Sequence, residues 1–103
     1  MKIIEEIGEC ALLENLAEEA CEMGQAALKL SRVKRGENPT PKAEWEAEAE
    51  LIEEIADCYT VLDELLRDKD WLPGILNTMD RKKARWERRL EQKRDIDPLG
   101  YTE

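Results

Sequence analysis

CALLENLAEEACEMGQAALKLSRV, residues 10–33, decides the fold. Its apolar residues return every three or four positions, which places Leu12, Leu13, Leu16, Ala20, Ala27 and Leu30 on one side of a helix. Ala, Leu, Glu, Lys and Arg are plentiful along the whole chain, Val and Ile are few, and nowhere does alternation with period two persist. The expected fold class is all-α.

Working outward from this segment, a short helix over about residues 2–7 should end near Gly8. On the other side, Arg35-Gly36-Glu37-Asn38-Pro39-Thr40-Pro41 interrupts the periodicity. Thr40 followed by Pro41 reads as an N-cap and a first-turn residue, so a second long helix is expected from there to about Arg67. Its inward stripe would be Leu51, Ile55, Cys58, Leu62, Leu65 and Leu66. Asp68 to Trp71 reads as a turn, and a third long helix should run to about Arg94, with Pro73 tolerated in its first turn. From Asp95 the tail, with Pro98 and Gly100, should be irregular. The expected architecture is an antiparallel helical bundle of about three long helices plus a short N-terminal helix, one domain over residues 1–94 with a tail over 95–103.

The chain has 103 residues, 25 acidic and 16 basic side chains, a formal net charge of -9 and no His. At this length roughly 60 to 65 % of the unfolded surface is buried, so oligomerisation is expected to complete the bundle. Without His there is no Ser-His or Cys-His nucleophile pair, no His general base and no His-containing zinc site. Carboxylate, Lys, Arg and metal chemistry remain. Cys10, Cys21 and Cys58 are odd in number and lack CxxC spacing, which argues against a disulfide framework and for reduced core residues in a cytoplasmic protein. Glu5 and Glu6 interrupt any signal-like apolar run, and no stretch approaches the ~20 apolar residues of a membrane span.

Charge is divided along the chain. Residues 1–66 carry 17 acidic and 6 basic groups, a net of -11, whereas residues 81–94 carry 8 basic and 2 acidic groups, a net of +6. The field of the acidic majority opposes nucleic-acid binding, so no nucleic-acid partner is expected.

Two acidic pairs stand out from the rest: Glu19 with Glu22, and Glu54 with Asp57. Each is spaced i, i+3, so its members point about 60° apart and form one ridge bordering the apolar stripe of their helix. Most acids on helices are solvated, and Glu44, Glu46, Glu48 and Glu50 fit that reading. If the two stripes pack as a hairpin, however, four carboxylates converge, and a fold stable by ~5 to 15 kcal/mol needs a counter-charge for them. Oxygen ligands without His or Cys favour a hard cation, Mg²⁺ with Mn²⁺ as a substitute. Such an ion keeps open positions that phosphate usually fills. Lys82, Arg85 and Arg89 fall at i, i+3, i+7 on one face of the third long helix and would meet that phosphate. The remaining bases, among them Arg81, Lys83, Arg88, Lys93 and Arg94, read as complements to the helix dipole, and Trp86 as a core or interface residue.

Taken in order, Glu19-x-x-Glu22 in LAEEACE (16–22), RGENPTP (35–41), Glu54-x-x-Asp57 in IEEIAD (52–57) and Met79-x-x-Lys82-x-x-Arg85-x-x-x-Arg89-Leu90 resemble the MazG-like, all-α nucleoside triphosphate pyrophosphohydrolases over roughly residues 9–90. The resemblance implies a Mg²⁺-dependent enzyme that cleaves a nucleoside triphosphate between its α and β phosphates, giving the monophosphate and pyrophosphate. It implies that Glu19, Glu22, Glu54 and Asp57 are the metal ligands and catalytic carboxylates. Lys82, Arg85 and Arg89 would bind the triphosphate, Glu18, Glu50 or Glu53 would orient the attacking water, and a second subunit would complete the site in a homodimer or homotetramer. Two other readings compete: a non-catalytic helical interaction module whose acidic face docks a basic protein, and a hydrolase of a non-nucleotide diphosphate on the same fold.

Overall fold

The computed structural model describes residues 1–36 and 41–96. Among these the chain is all-helical, with α1 (Ile3–Ile7), α2 (Glu9–Arg35), α3 (Glu44–Leu66) and α4 (Leu72–Ile96). It divides into two compact units, Met1–Asp68 and a second that begins at Lys69 and holds α4. No helix among the described residues is long and apolar enough to cross a membrane.

In the first unit α2 and α3 pack along their lengths and α1 lies against both. The positions of α2 that turn inward are Leu12, Leu16, Glu19, Met23, Ala26, Leu30 and Val33, and those of α3 are Ala47, Leu51, Glu54, Cys58, Val61 and Leu65. Both series alternate steps of four and three, the 3.5-residue repeat that keeps one seam facing a partner helix. Leu12, Ala26, Ala47, Cys58 and Leu65 are the fully buried members. The two helices are antiparallel: Lys34 at the end of α2 reaches Glu44 at 3.4 Å and Glu48 at 3.5 Å near the start of α3.

The seam is rotated from the expected stripe. Leu12, Leu16 and Leu30 face inward as expected, but Leu13, Ala20 and Ala27 are exposed, and Met23 and Ala26 take the inward positions. The expectation kept glutamate out of the interior and so chose Ala20, the next residue, over Glu19. On α3, Leu51, Ile55, Cys58, Leu62, Leu65 and Leu66 are all buried or half-buried, but Glu54 shares their face. Of the three cysteines, all unpaired, only Cys58 is a core residue; Cys10 and Cys21 are exposed.

Helix ends follow local chemistry. Gly8, at φ 89°, separates α1 from α2 in a conformation closed to other residues, and its N–H donates to the Ile4 carbonyl at 2.9 Å. Gly36, at φ 67°, ends α2 in the left-handed region, with its N–H on the Arg32 carbonyl at 2.9 Å. The start of α3 differs from expectation. Thr40 lies outside the described residues, Pro41 precedes the helix, and Ala43 is the N-cap. Ala43 has no side chain to cap with, so the Glu46 carboxylate does the work, accepting the Ala43 N–H at 3.2 Å.

In the second unit, Pro73 sits in the first turn of α4 as expected, and the helix continues through Asp95 to Ile96. The rest of the expected tail, 97–103, lies outside the described residues. Leu72, Ile75, Leu76, Met79, Trp86 and Leu90 are all exposed, Trp86 by 68 %, so in this chain alone Trp86 is not a core residue.

The seam yields a direct test. Leu65→Ala, which empties a buried position, should lower unfolding free energy by about 2–5 kcal/mol. Leu13→Ala, on the expected but unused stripe, should cost under about 1 kcal/mol. Urea unfolding checks both values, and the Leu13→Ala result distinguishes the two rotations of α2, with Leu65 on α3 as the buried reference.

Candidate metal centre

Glu19 occupies the seam between Leu16 and Met23, and Glu54 occupies it between Leu51 and Cys58. Packing against apolar neighbours leaves both half-buried. Glu22, one turn further along α2, is exposed and leans to the same spot. One carboxylate oxygen from each of Glu19, Glu22 and Glu54 lies within 4.8 Å of the other two. The Oε2 atoms of Glu19 and Glu54 are buried without a hydrogen-bond donor, a costly condition for a carboxylate. Among the described residues no ion pair reaches any of the three, and Lys34 and Lys42 pair instead with Glu44, Glu48 and Glu50.

The electrostatics follow from this crowding. Burial pushes the Glu19 and Glu54 carboxyls above the usual carboxylate range, and the charges of Glu22 and Asp57 push the same way. The Cys58 thiol is raised by burial and then by the charges of Glu19 and Asp57, so it stays protonated and serves as an inert core residue. Glu50 is lowered, chiefly by its hydrogen bond from Lys42.

Oxygens bound to Mg²⁺ at ~2.1 Å stand about 3 to 4.2 Å apart, so the triad needs only a small closure to hold such an ion. Acid-only donors, two of them with orphaned oxygens, fit a hard divalent cation by chemistry as well as spacing. Glu19, Glu22 and Glu54 are therefore the residues that could hold one.

Of the seven residues singled out from the sequence, three come together in this triad. Asp57 is exposed and outside it, close enough for its charge to act on Glu19 and Glu54. Lys82, Arg85 and Arg89 are exposed residues of α4 in the second unit. There, Lys82 and Arg85 line a groove along α4 with Arg81 and Arg88, whereas Arg89 does not. Two residues missed from the sequence, Gln25 and Lys29, both exposed, line an open cavity of about 300 Å³ beside the α2–α3 seam together with Glu22, Glu50, Glu53 and Glu54. The signal for them was present as spacing, since both continue the Glu22 face of α2 at i+3 and i+7.

Neither a known protein family, nor a curated sequence, nor a solved structure matches this chain.

The raised carboxyls set a pH dependence. A carboxyl whose pKa is higher folded than unfolded favours the folded state while protonated, and that contribution is lost as pH rises from the ordinary carboxylate value through the raised one. With chelator present, Glu19→Gln and Glu54→Gln should each raise the melting temperature at pH 7. The gain should shrink toward pH 4, where the native carboxyls are themselves protonated. Thermal melts of both variants and the parent across this range check the sign.

Proposed function

We propose that the chain is a Mg²⁺-dependent nucleoside triphosphate pyrophosphohydrolase, cleaving between the α and β phosphates to give the monophosphate and pyrophosphate. The observation that carries the reading is the placement of Glu19 and Glu54 on facing seam positions, each with a buried oxygen that has no donor, beside Glu22 within 4.8 Å. Apolar residues at those positions would pack without such a cost, so a cationic occupant gives the arrangement a reason. The resemblance of the ordered acidic and basic motifs to the MazG-like enzymes supports the same reading.

In this mechanism Glu19, Glu22 and Glu54 would hold the ion, and Asp57 adds negative charge beside them. A bound Mg²⁺ would supply charge neutralisation for the phosphates and acidify a water. Glu50 is committed to Lys42, so Glu53, on the wall of the adjoining cavity, is the better carboxylate to orient that water and take its proton. The resemblance assigns triphosphate binding to Lys82, Arg85 and Arg89, which would offset charge on the departing pyrophosphate. A cytoplasmic location, where nucleoside triphosphates are abundant, accords with this activity.

Oligomerisation is part of the proposal. Trp45, Ile52 and Tyr59 follow one another at seven-residue intervals on the outer side of α3 and are 71 %, 67 % and 70 % exposed. Three large apolar groups in one line favour a protein surface over water. The same line is what a non-catalytic interaction module would display, which keeps that reading as the rival.

Incubated with Mg²⁺ and a panel of NTPs and dNTPs, the protein should release pyrophosphate, and Glu54→Gln should lower kcat/KM by about 100-fold or more. Orthophosphate as the product would refute the assigned bond. No turnover, with a melting temperature indifferent to Mg²⁺, would favour the interaction module, and turnover confined to non-nucleotide diphosphates would change the substrate class. Separately, sedimentation should show a dimer or tetramer that Ile52→Glu with Tyr59→Glu reduces to monomer.

A further inference from the structure

We infer, building on the function proposed above, that Lys29 is a phosphate-binding residue of the hairpin itself, holding a polyphosphate that a Mg²⁺ ion on Glu19, Glu22 and Glu54 would anchor. The cavity of about 300 Å³ shares Glu22 and Glu54 with the triad and extends from them to Gln25, Lys29 and Glu50. Its lining has no aromatic side chain to stack a base. It is large enough for phosphate groups, and Lys29 is the cation on its wall.

The simpler role for a lysine among carboxylates is to neutralise them, and here the ion pairs speak against it. Lys34 and Lys42 each engage glutamates directly. Lys29 is within ion-pair distance of no carboxylate among the described residues, although four line its cavity. Glu50, the carboxylate that its charge does influence, is held by Lys42 instead. Lys29 thus keeps its three donors available.

Reach fits as well. Lys29 lies seven residues, about 10 Å along the axis, beyond Glu22 on the same face of α2. Helical side chains lean toward the N-terminal end of their own helix, so the Lys29 arm extends back over Gln25 toward Glu22. A polyphosphate anchored at the triad extends several ångströms, in the direction of Lys29 when it lies along the groove they share. Gln25, on the same face between them, offers an amide donor to the same oxygens.

The test uses inorganic tripolyphosphate, which has phosphates and no base or sugar. Its binding to the full chain with Mg²⁺ present is measured by calorimetry for the parent, Lys29→Ala and Lys29→Arg, alongside binding of Mg²⁺ alone and NTP turnover. Lys29→Ala should weaken tripolyphosphate about 10-fold and raise KM for NTP similarly. Lys29→Arg should restore most of both, with Mg²⁺ bound as tightly as before or tighter. A neutralising role predicts the opposite pattern, with tripolyphosphate binding and KM within twofold of the parent and only melting temperature changed, and would overturn the assignment. If the parent neither binds tripolyphosphate with Mg²⁺ nor turns over NTP, the function proposed above fails and the Lys29 role falls with it. Parent activity with an indifferent Lys29→Ala removes Lys29 alone.

Discussion

The structure depends on how a hydrophobic seam accommodates two carboxylates at its middle. Glu19 and Glu54 sit where the 3.5-residue repeat of α2 and α3 calls for apolar side chains, and burying a charge is unfavourable unless it is paired, protonated or bound to a cation. The flanks of the seam supply the compensation. Leu12 and Leu65 are buried toward one end and Ala26 and Ala47 toward the other, so the helices are held together on both sides of the acidic stretch. Small residues at Ala26 and Ala47 let the backbones approach, and the acids between them are fixed on a rigid element rather than on a loop. Rigidity of this kind is what a ligand-binding constellation requires.

The helix content was legible in the sequence because 3.6-residue periodicity is strong over long segments, and Gly8 and Gly36 marked their boundaries through backbone conformations that other residues avoid. The rotation of α2 was not. Periodicity counts apolar residues, and between Glu19 and Ala20 it selects the alanine; only packing against α3 shows that the glutamate faces inward. The start of α3 was misplaced because Thr40-Pro41 is a stronger local capping signal than Ala43, while the cap at Ala43 depends on a carboxylate three residues ahead.

Candidate chemistry was legible to the extent that it lay in spacing. The i, i+3 pairs identified Glu19, Glu22 and Glu54, and the partial burial of two of them is a fact about helix packing that no spacing encodes. Asp57 shares the spacing, but its carboxylate falls outside the triad and reaches Glu19 and Glu54 through its charge. Gln25 and Lys29 were missed because a lysine and a glutamine on an acidic helix read as solvated surface until a cavity is seen beside them.

One consequence of the seam glutamates concerns alignment. An antiparallel pair of heptad helices can slide by seven residues and still match apolar positions, but here a slide would separate Glu19 from Glu54 and place each against purely apolar layers. Two wet, charged layers would replace one. Polar residues inside helical seams are known chiefly for fixing register in this way. The carboxylates therefore act as a key that admits one pairing of α2 with α3, whatever else they bind. The connection between the helices is freed from that duty. Doubling the length of a loop costs only about 0.6 kcal/mol in closure entropy, so a longer link between α2 and α3 would leave the alignment of the hairpin preserved.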